Sequence, residues 1–347
     1  AIDVYWCNSQ YLKSVLSSIM LIPDFARRCV LDPQGHQSVE SIPLPIPLLD
    51  YPDGYENEGV ELPSEVVAAL EDGATVIGHS VQRDKPCPIA TCMIMRALNQ
   101  MAEQGGLPTF RLVISQAVAP ELTDEIKVRW PDEAERMQQW FIPVPLINNR
   151  ALITLMRRSA FGLCYNRYPE SFGIYPLESV LVGCPVYTNG IGNNRTLLPP
   201  GNGITVIETI GMSFGEYEDY RCVAERIIAD LQSGEAVQQC RQGGAYIAQN
   251  HNRQVFDTTV EAALSQLERE AIEPPTQSFD NLLFEISPLV RLWNPDTRQV
   301  VSDYRSTMLT PAESDLVCAL LGRSVGSVAP HDAVMIEQLY SLFYRGI

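Results

Sequence analysis

Two glutamates stand eight positions apart in the stretch PESFGIYPLESVLVGCPV, which begins at Pro169. Glu170 precedes a Phe-Gly step, and Glu178 lies inside the apolar helix pattern that follows it. Proline is best tolerated in the first turn of a helix, so Pro176 predicts a helix that starts near Gly173. The pattern therefore places one carboxylate just before a helix and a second one within its opening turns.

The backbone at this predicted helix start is suited to an anion. The helix dipole and the unsatisfied amides of Phe172, Gly173 and Ile174 favour a group such as a diphosphate, and Gly173 allows a ligand to approach closely. Carboxylates cannot contact that diphosphate, but they accept hydrogen bonds from neutral hydroxyls on either side of it. A nucleotide sugar has this layout of ribose, diphosphate and hexose. The alternative is two solvated acids that merely favour the helix dipole.

Alternating strand and helix patterns surround this stretch. Strands are predicted at 74–80, 110–116, 141–146, 161–166, 185–189 and 203–208, and helices at 88–104, 131–140, 149–159, 217–231 and onward to about 272. Such alternation predicts an α/β fold with a doubly wound parallel sheet, here a Rossmann-like domain over 71–272. Ligands of such sheets bind beyond the carboxyl ends of the strands, where the strand at 161–166 leads to Glu170.

The flanking regions have different patterns. Residues 1–20 predict a strand, an Asn-Ser cap and a helix, whereas the Pro-, Gly- and acid-rich stretch 32–63 predicts an exposed connector. Residues 277–347 predict a small α+β module, winged-helix-like, with two strands around an Asn-Pro-Asp turn. A Thr310-capped helix with Glu313 at capping-box spacing and a last helix at 332–345 complete it.

Composition excludes several classes of protein. The 347 residues are 46% hydrophobic and carry a net charge of −17, which disfavours nucleic acid as a partner. The nine scattered cysteines predict buried thiols in a reducing, cytoplasmic compartment, with Cys87 and Cys92 in a helix core. No His, Cys or acid spacing predicts a metal site, and no apolar run reaches the length of a membrane helix.

The stretch PESFGIYPLESVLVGCPVYTNGIGNNRTLL resembles the signature of retaining glycosyltransferases of the GT-B fold, particularly family 4. That signature is Glu-x7-Glu around Phe-Gly, followed by Gly-x-Pro-Val and a glycine-rich loop. The matching positions are Glu170, Phe172, Gly173, Glu178, Gly183, Pro185, Val186, Gly190 and Gly192. The resemblance covers about residues 1–265 and is strongest from 146 to 207.

The resemblance implies a role for each part of the site. Glu170 would contact the donor sugar, Glu178 the ribose, and the amides from Ser171 to Ile174 the diphosphate. The loop after the strand at 74–80 would approach the diphosphate through Gly78 and His79, and Lys85 with Arg83 would supply positive charge, so that neither a metal nor another cofactor is needed. Where the family usually has an arginine after Gly78 this chain has His79, and Arg83 is its expected substitute. A solvated loop, with His79 in a packing role, is the alternative.

The resemblance also predicts partners. Residues 1–70 match only the last strand and helix of the family's acceptor-binding domain plus a linker, so a partner chain would complete the cleft. A degenerate, non-catalytic donor-binding subunit is the main alternative, and a GT-B epimerase or phosphorylase has less support. Residues 277–347 faintly resemble small peptide-binding modules, which predicts a peptide acceptor bound by strand addition; an accessory packing domain is the alternative. Asn193 and Asn194 are expected to cap the next segment or to bind phosphate.

Overall fold

The computed structural model describes residues 4–20, 38–51, 60–78, 85–209, 217–269, 286, 290–302, 306–323, 338 and 341–342. Two compact units divide the chain: one is Pro45–Val255, and the other combines Ala1–Leu44 with Phe256–Ile347. The strands are β1 Val4–Cys7, β2 Ser38–Ser41, β3 Thr75–Gly78, β4 Phe110–Ser115, β5 Phe141–Val144, β6 Phe161–Cys164, β7 Val186–Thr188, β8 Ile204–Val206, β9 Val290–Asn294, β10 Gln299–Ser302 and β11 Ser306–Met308. The α-helices are α1 Gln10–Met20, α2 Ser64–Glu71, α3 Pro88–Gly105, α4 Ala119–Arg129, α5 Ala134–Gln138, α6 Asn149–Arg158, α7 Ile174–Leu181, α8 Tyr217–Ser233, α9 Glu235–Asn250, α10 Arg253–Arg269 and α11 Pro311–Leu320.

The larger unit contains a six-stranded sheet in which all five neighbouring pairs are parallel. The strand order is β5-β4-β3-β6-β7-β8, so the chain builds one half of the sheet outward from β3 and the other half outward from β6. This doubly wound arrangement confirms the predicted fold class. The reversal between β3 and β6 creates a crevice at their carboxyl ends, where sheets of this kind bind ligands.

Both faces of the sheet are covered by apolar side chains. Neighbouring residues of β3 point to opposite faces, since Ile77 belongs to one buried cluster and Val76 to another. Phe161 at the start of β6 is fully buried, with its ring centroid 5.3 Å from that of Tyr187 and 6.3 Å from that of Phe110. Burial of one such ring contributes about 2–3 kcal/mol, and it fixes β6 between its neighbours.

Three helices differ from the sequence prediction, and the first of them, α2, was not predicted. Helix α4 was not predicted, although Val118, Leu122 and Ile126 repeat at four-residue spacing and are all buried. The helix predicted at 131–140 is a 3-10 turn, Pro131–Glu133, followed by the short α5. Within the described residues, no helix has the length and apolar character required to cross a membrane.

The exposed connector predicted at 32–63 is wrong in part. Strand β2 lies inside it and pairs in parallel with β1, with Val4 opposite Ser38, while Ile42 and Ile46 are buried. A four-residue polar strand has no periodic signal of its own, because its partner lies about thirty residues away in the sequence. The predicted cap of α1 is confirmed, since the Ser9 hydroxyl accepts a hydrogen bond of 3.2 Å from the amide of Leu12.

The last part of the chain forms a small antiparallel sheet in the order β11-β10-β9, followed by α11. The two predicted strands are present, and β11 is an additional strand that the sequence did not predict. The capping box is confirmed: Thr310 accepts from the amide of Glu313, and the Glu313 carboxylate accepts from the amide of Thr310. Most of the helix predicted at 332–345 lies outside the described residues.

Candidate functional site

The loop that carries Glu170 is joined to the glycine-rich loop after β7 by backbone hydrogen bonds. The amide of Glu170 donates to the carbonyl of Ile191 over 3.3 Å, and the amide of Asn193 donates to the carbonyl of Glu170 over 2.7 Å. Gly192 has a φ of 68°, and a Cβ there would lie 2.4 Å from the Glu170 nitrogen. Only glycine permits this approach, so the second loop sets the position of the first.

Helix α7 starts where Pro176 and Gly173 predicted it. Gly173 precedes the helix with a φ of 97°, and a Cβ at this position would meet Asn194 and Leu197 at 2.9 Å. Phe172 is buried against the ring of His251, with centroids 5.9 Å apart. Gly173 and the buried Phe172 thus fix the position of the helix start, where the first amides of α7 have no acceptor within the helix.

Lys85 and Glu170 meet at this edge although they are 85 positions apart in the sequence. The Lys85 ammonium donates to a carboxylate oxygen of Glu170 in an ion pair. The Glu170 side chain is 11% exposed and that of Lys85 32% exposed, so the pair lies partly out of solvent. One residue follows β3 and the other follows β6, which are the two strands at the reversal of the sheet. The site residues therefore come from both halves of the fold.

Glu178 has a different environment from Glu170. It lies on α7 and is 5% exposed, and no cation pairs with it among the residues that the structure describes. Burial raises the pKa of its carboxyl group to about 7, because a charged carboxylate loses its hydration inside the protein. The two acids of the motif therefore lie in different electrostatic environments: Glu170 is paired with a cation, and Glu178 is desolvated.

The remaining predicted positions fall into three groups. Ser171 and Ile174 are exposed beside the helix start, and Ile174 retains 45% of its accessible surface. Gly78 is buried at the end of β3, where a Cβ would lie 3.0 Å from the hydroxyl of Tyr175 on α7, so it allows the helix to pack on the strand. His79 and Arg83 lie outside the described residues.

Two polar residues of this edge, Thr188 and Asn189, were not predicted from the sequence, and Asn193 makes a contact other than the predicted ones. Thr188 and Asn189 are buried at the end of β7; the Thr188 hydroxyl donates to the carbonyl of Cys164, and the Asn189 amide group donates to the carbonyl of Asn166. The Asn193 side chain donates to the carbonyl of Phe172 over 2.7 Å instead of capping the next turn. Polar residues placed directly after buried strands were the signal that could have identified them.

The pair Cys87 and Cys92 lies where the sequence predicted it. Cys87 and Cys92 are free thiols in the main buried cluster, which confirms the core prediction for this pair. Desolvation by burial raises the pKa of the Cys87 thiol above its usual value. Among the described residues, no three His, Cys, Asp or Glu side chains form a group able to hold a metal ion.

Solved structures share this architecture. HepE from Anabaena, solved in complex with UDP, aligns with a TM-score of 0.50 at 16% identity over 76% of this chain and 64% of that one. A glycosyltransferase from Rickettsia africae ESF-5 gives 0.52 at 12% identity over 76% and 64%. A UDP-forming α,α-trehalose-phosphate synthase from Burkholderia vietnamiensis gives 0.52 at 13% identity over 76% and 59%. No family model matches the sequence, and no curated protein matches it.

These likenesses place the sheet among the doubly wound α/β folds. More narrowly, the chain has the GT-B fold of the glycosyltransferases, as the motif around Glu170 predicted. It spans 59% to 64% of the length of these three structures.

Proposed function

We propose that this chain binds a nucleoside-diphosphate sugar at the carboxyl ends of β3 and β6 and takes part in transferring the hexose with retention of configuration. The observation that carries the proposal is the meeting of Lys85 and Glu170 beside the start of α7. A cation, a hydroxyl acceptor and a set of helix amides then lie at the switch point of a GT-B sheet. The glycosyltransferases and the UDP complex with the same fold support this assignment.

The proposed chemistry depends on charge at the departing diphosphate. As the bond between the anomeric carbon and the diphosphate oxygen breaks, negative charge grows on the leaving group. The amides from Ser171 to Ile174 and the Lys85 ammonium would stabilise that charge from fixed positions, which is the strongest single contribution in many enzymes. These groups would supply the positive charge that a metal ion supplies in other enzymes, so the proposal includes no metal and no other cofactor.

The Lys85–Glu170 ion pair has a consequence for donor binding. Each side chain is the partner of the other in the free protein, and both are needed by the donor. The diphosphate would take over Lys85 while the hexose hydroxyls donate to Glu170, so the complete donor replaces both halves of the pair. A nucleoside diphosphate without a sugar replaces only one half and leaves Glu170 without its cation.

The acceptor and its site are also proposals. A peptide or glycan acceptor fits the fold, and the three-stranded sheet supports the peptide. Among the described strands, β9 and β11 lie at the two edges of that sheet, where an extended segment can add by backbone hydrogen bonds. The acceptor side of the donor cleft would come from a partner chain or from further residues of the same protein. The free cysteines of the described residues, six of which are buried, support a reducing, cytoplasmic compartment.

Calorimetry and donor turnover test the proposal together. Wild-type protein is titrated with uridine, guanosine and adenosine diphosphates, and hydrolysis of the matching labelled nucleotide sugars is followed with and without candidate partners. We expect one nucleotide to bind and Lys85→Ala to weaken it about tenfold or more. The control is Lys127→Ala, an exposed lysine on α4. No binding of any of the three nucleotides would reject the proposal, and binding without turnover under every condition would leave a non-catalytic donor-binding subunit.

A further inference from the structure

Arg167 lies in the loop between β6 and α7, next to the segment that carries Lys85. Its backbone amide donates to the carbonyl of Lys85 over 2.8 Å, and the amide of Cys87 donates to the carbonyl of Tyr165 over the same distance. Pro86 and Asn166 form the bridge between these two bonds. A short antiparallel ribbon therefore joins the Lys85 segment to the loop that leads to Glu170.

The Arg167 side chain reinforces this ribbon. Its Nε donates to the carbonyl of Pro86 over 2.9 Å, while its Nη2 forms an ion pair with Glu121 in the first turn of α4. The planar guanidinium thus connects three segments that follow β3, β4 and β6. A lysine could not make both contacts, because its single ammonium lacks the fork of the guanidinium.

The contacts of Arg167 also indicate that its guanidinium is not a ligand-binding group. Its charge is matched by Glu121, and its Nε is occupied by a backbone carbonyl of the Lys85 segment. A guanidinium engaged in this way is suited to hold its neighbours and not to grip a ligand. Lys85, one residue before that carbonyl, is the cation that reaches Glu170.

We propose that Arg167 is a positioning residue for Lys85: with Glu121 it fixes the Lys85 segment so that the ammonium lies against Glu170 and, when a donor is present, against the diphosphate. The contact with Glu170 concerns the free protein alone, whereas the contact with the diphosphate rests on the proposed function. The two contacts can be tested in separate experiments.

The free protein can be tested by amine labelling. The chain has three lysines, Lys13, Lys85 and Lys127, so acetylation at each can be followed by mass spectrometry. An ammonium held against a carboxylate acylates slowly, because only the uncharged amine attacks the reagent. We expect Arg167→Gln and Glu121→Gln each to raise the labelling rate of Lys85 about fivefold relative to Lys127. The change in local charge alone would slow labelling in Arg167→Gln, which loses a positive charge, and speed it in Glu121→Gln, which loses a negative one. Faster labelling in both variants therefore indicates a loosened ion pair.

A double-mutant cycle tests the donor-bound state. Affinity for uridine diphosphate is measured for wild type, Arg167→Gln, Lys85→Ala and the double variant, with Arg129→Gln on α4 as the surface control. We expect Arg167→Gln to weaken binding about tenfold when Lys85 is present and less than twofold when it is alanine, since displacement of a charged group by a fraction of an ångström has large effects. Arg167→Lys should not restore affinity, because it keeps the charge without the fork.

The outcomes separate the two proposals. An equal loss of affinity in both backgrounds would make Arg167 a direct ligand and overturn the positioning role. Unchanged Lys85 labelling in both Arg167→Gln and Glu121→Gln would overturn it even if no nucleotide binds. If wild type binds none of the nucleotides but the labelling responds as expected, the proposed function fails and the role of Arg167 in the free protein stands. Thermal unfolding verifies that each variant is folded, and Glu121→Gln replaces Arg167→Gln if the latter is not.

Discussion

The two glutamates of the Glu-x7-Glu motif lie in opposite kinds of environment. At the loop end, Glu170 pairs with Lys85 and is held by backbone bonds to the glycine-rich loop. At the helix end, Glu178 is buried on α7, and burial raises its pKa to about 7. Spacing alone made these two residues look alike. The comparison teaches that the loop end is held by an ion pair with Lys85, whereas the charge of the helix end depends on pH near neutrality.

The largest expected difference is in turnover. Glu170→Gln should lower the rate of donor consumption about a thousandfold, because it removes an acceptor for the hexose and the anchor of Lys85. Glu178→Gln should lower it about tenfold, since the contact that the motif predicts for Glu178 is with the ribose, away from the bond that breaks. Steady-state kinetics with the labelled nucleotide sugar would measure both. Equal losses in the two variants would contradict the distinction between the ends.

Loss of the Glu170 carboxylate, which should lower turnover, should not lower the affinity for a nucleotide without a sugar. Uridine diphosphate should bind Glu170→Gln at least as tightly as wild type, because Lys85 no longer has an internal carboxylate competing with the phosphates. Glu125→Gln, which removes a surface pair with Arg129 on α4, serves as the control. Weaker binding to Glu170→Gln than to the control would show that Glu170 positions Lys85 without competing for it.

The position of the loop end depends on Gly192, and that dependence can be measured as stability. A Cβ at Gly192 would lie 2.4 Å and 2.5 Å from the backbone nitrogen and oxygen of Glu170, and the residue has a positive φ. Gly192→Ala should therefore lower the free energy of unfolding in urea by about 3 kcal/mol. Gly201→Ala is a matched control with a positive φ and open space around it, and it should cost about 1 kcal/mol.

Features of the fold that leave a local sequence pattern could be predicted, and features that depend on distant residues could not. The sheet was predictable because its buried strands and amphipathic helices are local patterns. The start of α7 was predictable because proline is tolerated in the first turn of a helix and glycine adopts the positive φ found just before it. The pairing of β2 with β1 was not, since parallel pairing across a long connection leaves no local pattern. At the site, the motif identified Glu170 and Glu178 as candidates. Their different environments could not be predicted from the spacing, because the contact of Glu170 with Lys85 and the burial of Glu178 both depend on the tertiary structure.

At pH 8, replacing the two acids should change the free energy of unfolding in opposite directions. The unfolded chain ionises Glu178 near its ordinary pKa, but the folded protein keeps the proton up to about pH 7. The raised folded pKa means that no penalty exists below about pH 4.5 and that the free energy of unfolding falls as pH rises toward 7. Glu178→Gln should consequently be more stable than wild type by about 2 kcal/mol at pH 8, with the difference vanishing near pH 4.5. Glu170→Gln should be less stable than wild type at pH 8, because it leaves Lys85 without its partner. Urea denaturation at pH 4.5, 6 and 8 measures both differences.

The smallest expected effect is the pH dependence of nucleotide binding. Ribose hydroxyls donate more strongly to an ionised carboxylate than to a neutral one, so binding should favour the charged form of Glu178. Affinity for uridine diphosphate should then rise between pH 6 and pH 8 by about threefold more in wild type than in Glu178→Gln. The terminal phosphate of the nucleotide titrates equally in both proteins, so the ratio of the two affinities isolates the carboxyl group. A ratio that stays constant with pH would mean that the ribose does not contact Glu178, and the helix end would then serve only to pack α7 against the sheet.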